Sequence, residues 1–441
     1  MGAGPRTTPF ADFVRSHRNG WRQALIDGGE PHLLTGSTVA NWKAILEWDA
    51  DHWRKHHQTG VLGNCFASQD HRTFRYYDAD RPFERFMSAA QATASANLTH
   101  GPLTVQGLFS LTNESARASH RRHVYCSADL DSIGPRLGED VEGLYDLAID
   151  PQRSFGNVWL GGSGTSAHPH YDTEHNMFSV AIGKKTFHLW DPHQSGKLHL
   201  HPSQHAGGRQ SQAVFSSEET SPAVRSSKAT PVELRPGDTL YVPPYYMHRV
   251  LSTGFTIGVN VWSESAEFRQ LRLMQGVPLP VPASRPAAER VHLLVSFLDA
   301  IVAALPLALG EHAVAAMVRN RYVEPLLSLM LTHASMRIDA ALCKPPATRA
   351  LLHSTARHGD DTRAATSYSR SSGSDDRATV EQRERTMRRA AEVADVLREI
   401  HAASGVAAIV FGDYVELVSA GALGVQNVAA FLLACYPEDL S

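Results

Sequence analysis

Cysteine is scarce in this chain: four residues in 441, Cys65, Cys126, Cys343 and Cys435, at no paired spacing. Zinc knuckles and ribbons, which enclose their ion between closely spaced thiolates, are thereby excluded. Thiols so scattered read as free, small, buried groups in a reducing compartment. An excess of either charge is also missing. Forty-two Lys and Arg face forty-five Asp and Glu, for a net charge of −3 and a pI near 6.8. No whole-molecule field therefore draws in a polyanion, and there is no strong nucleic-acid signal. Long apolar runs are lacking too. The most apolar stretch, residues 291–310, is interrupted by His292, Asp299 and Pro306, and reads as a buried amphipathic helix rather than a membrane span. The first residues lack the basic-then-apolar order of a secretory signal, and Arg6 stands where a myristoylation site requires Ser or Thr. No internal repeat and no Walker-type phosphate loop occurs. What remains, 42% hydrophobic and 20% charged, has the composition of a soluble globular protein, expected inside the cell, in cytoplasm, nucleus or both.

The texture changes along the chain. Residues 1–155 mix helical patches such as 41–56 with short strands such as 72–77, and form an N-terminal segment integrated with a β-rich core. That core is residues 156–265, where 179–182, 186–190, 239–242 and 255–262 alternate or run apolar between Gly and Pro. Short strands at this spacing predict a sandwich or barrel rather than a parallel α/β sheet. Residues 286–340 are Ala- and Leu-rich with helical period, 287–305 being the clearest amphipathic helix. Residues 344–376 turn to Ser, Arg and Asp and read as a disordered linker. Residues 379–441 return to helical pattern, with no role evident from sequence.

Chemistry concentrates in Ala167-His-Pro-His-Tyr-Asp-Thr-Glu-His-Asn176. His170 and Asp172 are two apart, so in extended backbone both side chains leave the same face. A third candidate, His248, ends the stretch that begins at the Gly237–Asp238 turn, seventy-six residues after Asp172. Two imidazoles and one carboxylate on one side of an ion leave the opposite positions open, the arrangement of non-haem Fe(II) sites that bind a bidentate cosubstrate and then O2. A closed zinc site would want a fourth protein ligand, and none is near. His168, His175 and His188 read as structural or surface residues, and His193, His199, His201 and His205 as a polar loop.

Lys185 lies fifteen residues after His170 and shares a strand face with Phe187 and Leu189. A lysine entering an apolar interior needs an anionic partner, and the distal carboxylate of 2-oxoglutarate would be one; the alternative is a lysine that snorkels to solvent. In 255–262, Thr256, Gly258, Asn260 and Trp262 form one face and Phe255, Ile257, Val259 and Val261 the other. Asn260 and Trp262 can thus line a cavity, with a satisfied amide inside a sheet as the alternative for Asn260.

These residues resemble the JmjC/cupin-like oxygenases, and within them the peptide-directed asparaginyl hydroxylases. The match runs through His170, Tyr171 and Asp172, then Asn176, Phe178, Gly183 and Lys185. It continues through Arg209-Gln-Ser-Gln212, Gly237, Asp238 and His248, to Asn260, Val261 and Trp262. Upstream, His71-Arg-Thr-Phe-Arg-Tyr-Tyr-Asp78 and Arg122-His-Val-Tyr125 are similar, and downstream Met317-Val-Arg-Asn-Arg-Tyr322 resembles a dimer-forming tail. The resemblance covers roughly residues 30–325. It implies a double-stranded β-helix, a jelly roll whose open end holds Fe(II). Lys185 and Tyr125 would grip 2-oxoglutarate, with Asn176 and Asn260 flanking the metal. Arg209 and Gln210 would orient a substrate amide, and Tyr76, Tyr77 and Trp262 would line its groove. The chemistry implied is conversion of 2-oxoglutarate and O2 to succinate and CO2 with hydroxylation of a protein or peptide, asparagine first, by an enzyme able to dimerise through the 286–335 helices. The sequence departs from the family at Ala167, where Thr is usual and only Ser166 offers a hydroxyl, and in a shortened loop between His248 and Asn260. Alternatives are a lysine hydroxylase or demethylase, an RNA-base hydroxylase, and a catalytically silent cupin scaffold.

Overall fold

Alternation of side chains in residues 175–190 and 247–263 sorts two apolar sets onto opposite faces of one sheet. In the computed structural model of the chain these are its two longest strands. Residues 5–17, 20–68, 72–76, 98–117, 122–213, 215, 222–305, 313–343, 375–400 and 405–437 are described. They fall into two compact units, one of described residues within 5–76, 98–198 and 209–268, the other within 199–208 and 269–437.

The first unit holds twelve described strands. These are β1 (Arg6–Pro9), β2 (His32–Thr35), β3 (Val61–Ser68), β4 (Thr73–Phe74), β5 (Leu98–Thr104) and β6 (His123–Asp129). Next in the chain come β7 (Ser154–Gly161), β8 (Ser166–His170), β9 (His175–Trp190), β10 (Thr230–Leu234), β11 (Thr239–Val242) and β12 (Met247–Ser263). Hydrogen bonding orders them β1-β2-β11-β9-β12-β7-β6-β3-β5, with β10 on β9, β8 on β12 and β4 on β8. Pairing is antiparallel except for β1 with β2 and β4 with β8, so the sheet is mixed, with helices flanking it. The four strand segments expected from alternation all lie within β9, β11 and β12.

One face carries Met177 and Ala181 of β9, Val259 and Val261 of β12, and Val158 and Leu160 of β7, packed with Leu25, Trp42, Trp48 and Trp53 of the N-terminal helical turns. The other face carries Phe178, Val180, Phe187 and Leu189 of β9 with Tyr125, Val232, Leu240 and Val250. Glycine allows close approach at two points of the long strands. Gly183 has φ +72°, and a Cβ there would strike the Phe255 carbonyl. At Gly258 a Cβ would lie 2.5 Å from the Phe178 ring, beside the register shift between Ile257 and Gly258.

The second unit is helical among its described residues. Helix Ala287–Ala304, one residue shorter than expected, buries Val291, Leu294, Val295, Phe297, Leu298, Ala300 and Ile301. It packs against Asp375–Arg398 and Val406–Leu423, and the Arg290 guanidinium donates to the Ala422 carbonyl at 2.7 Å. The segments 286–340 and 379–441 therefore share one core. Arg321 is buried there between Asp413 (2.6 Å) and Glu416 (2.9 Å), and Tyr322 donates to Glu416 at 3.1 Å. Val406–Leu423 is the one described helix long and apolar enough to cross a membrane, and 78% of it is buried inside the protein. Of the 344–376 linker, 344–374 lies outside the described residues, while Asp375 and Asp376 open a helix.

The cysteines correct an expectation. Rather than four free thiols, Cys65 pairs with Cys126 and Cys343 with Cys435. Cys65 and Cys126 are direct cross-strand partners on β3 and β6, a proximity set by strand register that sequence spacing does not reveal.

Candidate metal centre

Strand register assembles the centre. β12 runs antiparallel to β8 with His248 opposite His170, bringing together residues far apart in sequence. Asp172 stands two residues beyond His170 in the extended segment before β9. Their ligand atoms, with those of His248, lie within 4.8 Å of one another. His170 Nε2 is 4.0 Å from Asp172 Oδ1, and His248 Nε2 is 3.6 Å from Oδ2.

Each ligand is oriented from behind. His170 Nδ1 donates to the His168 carbonyl at 2.7 Å and His248 Nδ1 to the Tyr246 carbonyl at 2.9 Å. A carbonyl only accepts, so each Nδ1 carries the proton and each Nε2 keeps a lone pair for a metal. Asp172 Oδ2 accepts from Trp262 Nε1 at 3.3 Å and from Asn176 Nδ2 at 3.4 Å. Burial, reinforced by neighbouring His248 and opposed by Asp172, holds the His170 imidazolium pKa down at about 4. His170 is therefore neutral near pH 7, as a ligand must be.

The triad opens into a cavity of 410 Å³ lined by Phe74, Tyr76, Tyr125, Trp159, Phe178, Arg209, Gln210 and Trp262, among others. Behind its wall, Asn260 is fully buried. It accepts from Trp159 Nε1 at 2.7 Å and donates to Asn176 Oδ1 at 3.0 Å, so a chain of amides and indoles runs from Trp159 to Asp172. Lys185 is also fully buried, its Nζ without a hydrogen-bond partner, 5.4 Å from the Tyr125 ring and 5.8 Å from the Phe178 ring. Burial lowers its pKa to about 7. The same burial, with the charge of Asp172, raises that of Tyr125.

Gln210 forms an isolated bridge with His170 and donates through Nε2 to the Tyr76 carbonyl at 2.7 Å. Its Oε1 and the Arg209 Nε are buried without partners. Arg209 adopts φ +70° with its guanidinium 5.7 Å from the Tyr76 ring. Tyr77 lies outside the described residues. Ala167 lines the cavity, while the neighbouring Ser166 hydroxyl accepts from Arg249 Nε at 3.2 Å and bonds Thr73 at 3.3 Å. Sequence reading missed Trp159, which alternates with core residues Val158 and Leu160. It also placed His168 only loosely; the ring is buried and bonded to the Ser211 carbonyl at 2.8 Å.

A sheet carrying two histidines and one aspartate at the mouth of an internal cavity defines a cupin-type protein with a facial metal triad. Comparison with known families agrees: the model of the cupin-like domain matches residues 19–267, and the chain belongs to that family. Among curated proteins it is 33% identical over 245 residues to Jumonji C domain-containing protein 5 of Drosophila melanogaster, covering 54% of this chain and 56% of the relative. It is 23% identical over 245 residues to lysine-specific demethylase JMJ30 of Arabidopsis thaliana, covering 54% and 51%. It is 30% identical over 138 residues to tRNA wybutosine-synthesizing protein 5 of Danio rerio, covering 31% and 40%. The match thus spans about half or less of each relative's length. The likeness is to the JmjC/cupin group at large, and none of these relatives is named an asparaginyl hydroxylase.

Proposed function

We propose that the chain is an Fe(II)- and 2-oxoglutarate-dependent protein hydroxylase. The observation that carries this reading is the combination of the oriented triad with Lys185, fully buried with an unpartnered Nζ close behind Tyr125 and Phe178 of the cavity wall. A scaffold needs neither. The donor set fits Fe(II): two imidazoles and a carboxylate share one side of the position, leaving the opposite side to the cavity. When bound, the metal with 2-oxoglutarate and O2 would supply decarboxylation to succinate and CO2 coupled to hydroxylation of a C–H bond.

The chain's own residues bind and orient. His170, Asp172 and His248 hold the metal. Lys185 pairs with the distal carboxylate of 2-oxoglutarate, Tyr125 contributing its hydroxyl, while Asn176 and Asn260 fix the carboxylate side of the centre. Arg209 Nε and Gln210 Oε1 are one unsatisfied donor and one unsatisfied acceptor on consecutive residues. That pair complements a primary amide, which is the support for asparagine as the target side chain; Tyr76 and Trp262 flank it. We read the strands as a double-stranded β-helix and the 286–340 helices as a homodimer surface. A lysine-directed reaction is the second reading, favoured by the name of the Arabidopsis relative; a methylated ammonium leaves the Arg209 donor unanswered.

The test is a peptide library incubated with protein, Fe(II), ascorbate and 2-oxoglutarate. Gain of one oxygen atom on asparagine, with matching succinate, is expected. Oxygen gained only on lysine, or loss of a methyl group, transfers the assignment to the second reading.

A further inference from the structure

A second group of two histidines and one aspartate lies in the same unit, away from the cavity and absent from its lining. His52 and His57 come from helix Ala50–His56 and the residue that caps it. Asp140 is the last residue of helix Pro135–Asp140. Their ligand atoms also lie within 4.8 Å of one another. His52 Nε2 is 3.6 Å and His57 Nε2 4.0 Å from Asp140 Oδ2, the same two separations found in the triad at the cavity.

Three observations point to a ligand. First, both Nε2 atoms are buried without a hydrogen-bond partner, and the His57 side chain is only 2% exposed. Second, the carboxylate is positioned: Trp48 Nε1 donates to Asp140 Oδ2 at 2.9 Å, as Trp262 does to Asp172. Third, the spacing suits a metal. Tetrahedral zinc with bonds near 2.0–2.1 Å places its donors about 3.4 Å apart, close to the 3.6 and 4.0 Å between the two Nε2 atoms and Asp140 Oδ2. The His52 side chain is 16% exposed, so the group lies near the surface.

We propose that His52, His57 and Asp140 form a second, zinc-type metal site, distinct from the triad at the cavity, which clips helix Ala50–His56 to helix Pro135–Asp140. Imidazole donors select a transition metal over Mg(II) or Ca(II). The ion would sit between two helix ends, and none of its three ligands lines the cavity at the first triad, so its role is structural. It contributes by binding the folded arrangement and not the unfolded chain.

The probe is zinc(II), counted by elemental analysis after equilibration and desalting, in full-length protein carrying His170→Ala and His248→Ala to remove the first site. One zinc per chain is expected to remain, with a higher thermal midpoint in zinc than in chelator. Adding Asp140→Asn keeps an oxygen for the Trp48 N–H but removes the anionic ligand; zinc affinity is expected to fall about 100-fold, and the zinc-dependent rise in midpoint to vanish. His52→Ala, at the exposed edge, gives the same loss without opening the core. Absence of bound zinc in the parent, or zinc retained equally by both variants, overturns the proposal. Neither outcome touches the reading of the first site, which is tested by turnover.

Discussion

Replacing Lys185 by methionine is expected to strengthen the empty protein while removing its capacity to capture 2-oxoglutarate. Lys185 is fully buried with an unpartnered Nζ, and burial brings its pKa from 10.5 to about 7. At 1.36 kcal/mol per pH unit, holding this lysine inside costs about 4 kcal/mol at pH 7 relative to the unfolded chain. Methionine fills much the same volume without the charge; allowing about 1–1.5 kcal/mol for imperfect packing, Lys185→Met gains about 2–3 kcal/mol, or roughly 2–3 °C for a chain of this length. The pH dependence has a definite sign. The unfolded chain binds the proton up to pH 10.5 and the folded chain only to about 7. The unfolded state therefore carries more protons between those values, and wild-type stability gains a contribution that rises with pH across that window. The variant lacks this rise. Denaturant titrations from pH 6 to 9, with Zn(II) in the metal site and with or without 2-oxoglutarate, measure both effects. The wild type is stabilised by 2-oxoglutarate and the variant is not. A variant less stable than wild type without the cosubstrate, or one stabilised by it equally, refutes the reasoning.

Trp262→Phe removes the indole donor to Asp172 Oδ2 and leaves the ring; metal affinity at the triad is expected to fall about 10–100-fold, read by competition with a chromophoric chelator, while the circular dichroism spectrum stays unchanged. Cys65→Ala with Cys126→Ala releases a cross-link spanning 61 residues and is expected to cost about 4 kcal/mol by loop-closure entropy. The check is denaturant unfolding, beside a thiol titration in which the native chain shows no free sulfhydryl.

Local pattern made the metal ligands and the strands behind them legible. His170 and Asp172 are two apart in extended backbone, and the alternation around Lys185 marks it as inward-facing, because a strand has only two faces. The register of β12 on β8, which seats His248 opposite His170, is a long-range fact that no local pattern states; sequence offered His248 as a third ligand from the stretch that follows the Gly237–Asp238 turn. Other features depend wholly on such contacts. Cys65 and Cys126 meet because β3 pairs with β6, so the expected free thiols are disulfides, which also weakens the inference of a reducing compartment drawn from them. His52 and His57 lie in a segment read only as a helical patch, and Asp140 joins them from more than eighty residues away. Trp159 was hidden by its apolar neighbours on β7. The two C-terminal helical segments looked separate because the residues between them carry no hydrophobic pattern, yet their apolar faces are complementary.

Succinate formation from 2-oxoglutarate by purified protein reconstituted with Fe(II) tests the central claim most directly. Wild-type protein is expected to turn over 2-oxoglutarate in an oxygen-dependent manner, slowly alone and faster with a peptide substrate, and His248→Ala to release less than about 1% as much. Failure of the wild type to form succinate with or without peptide, or equal release by His248→Ala, contradicts the account.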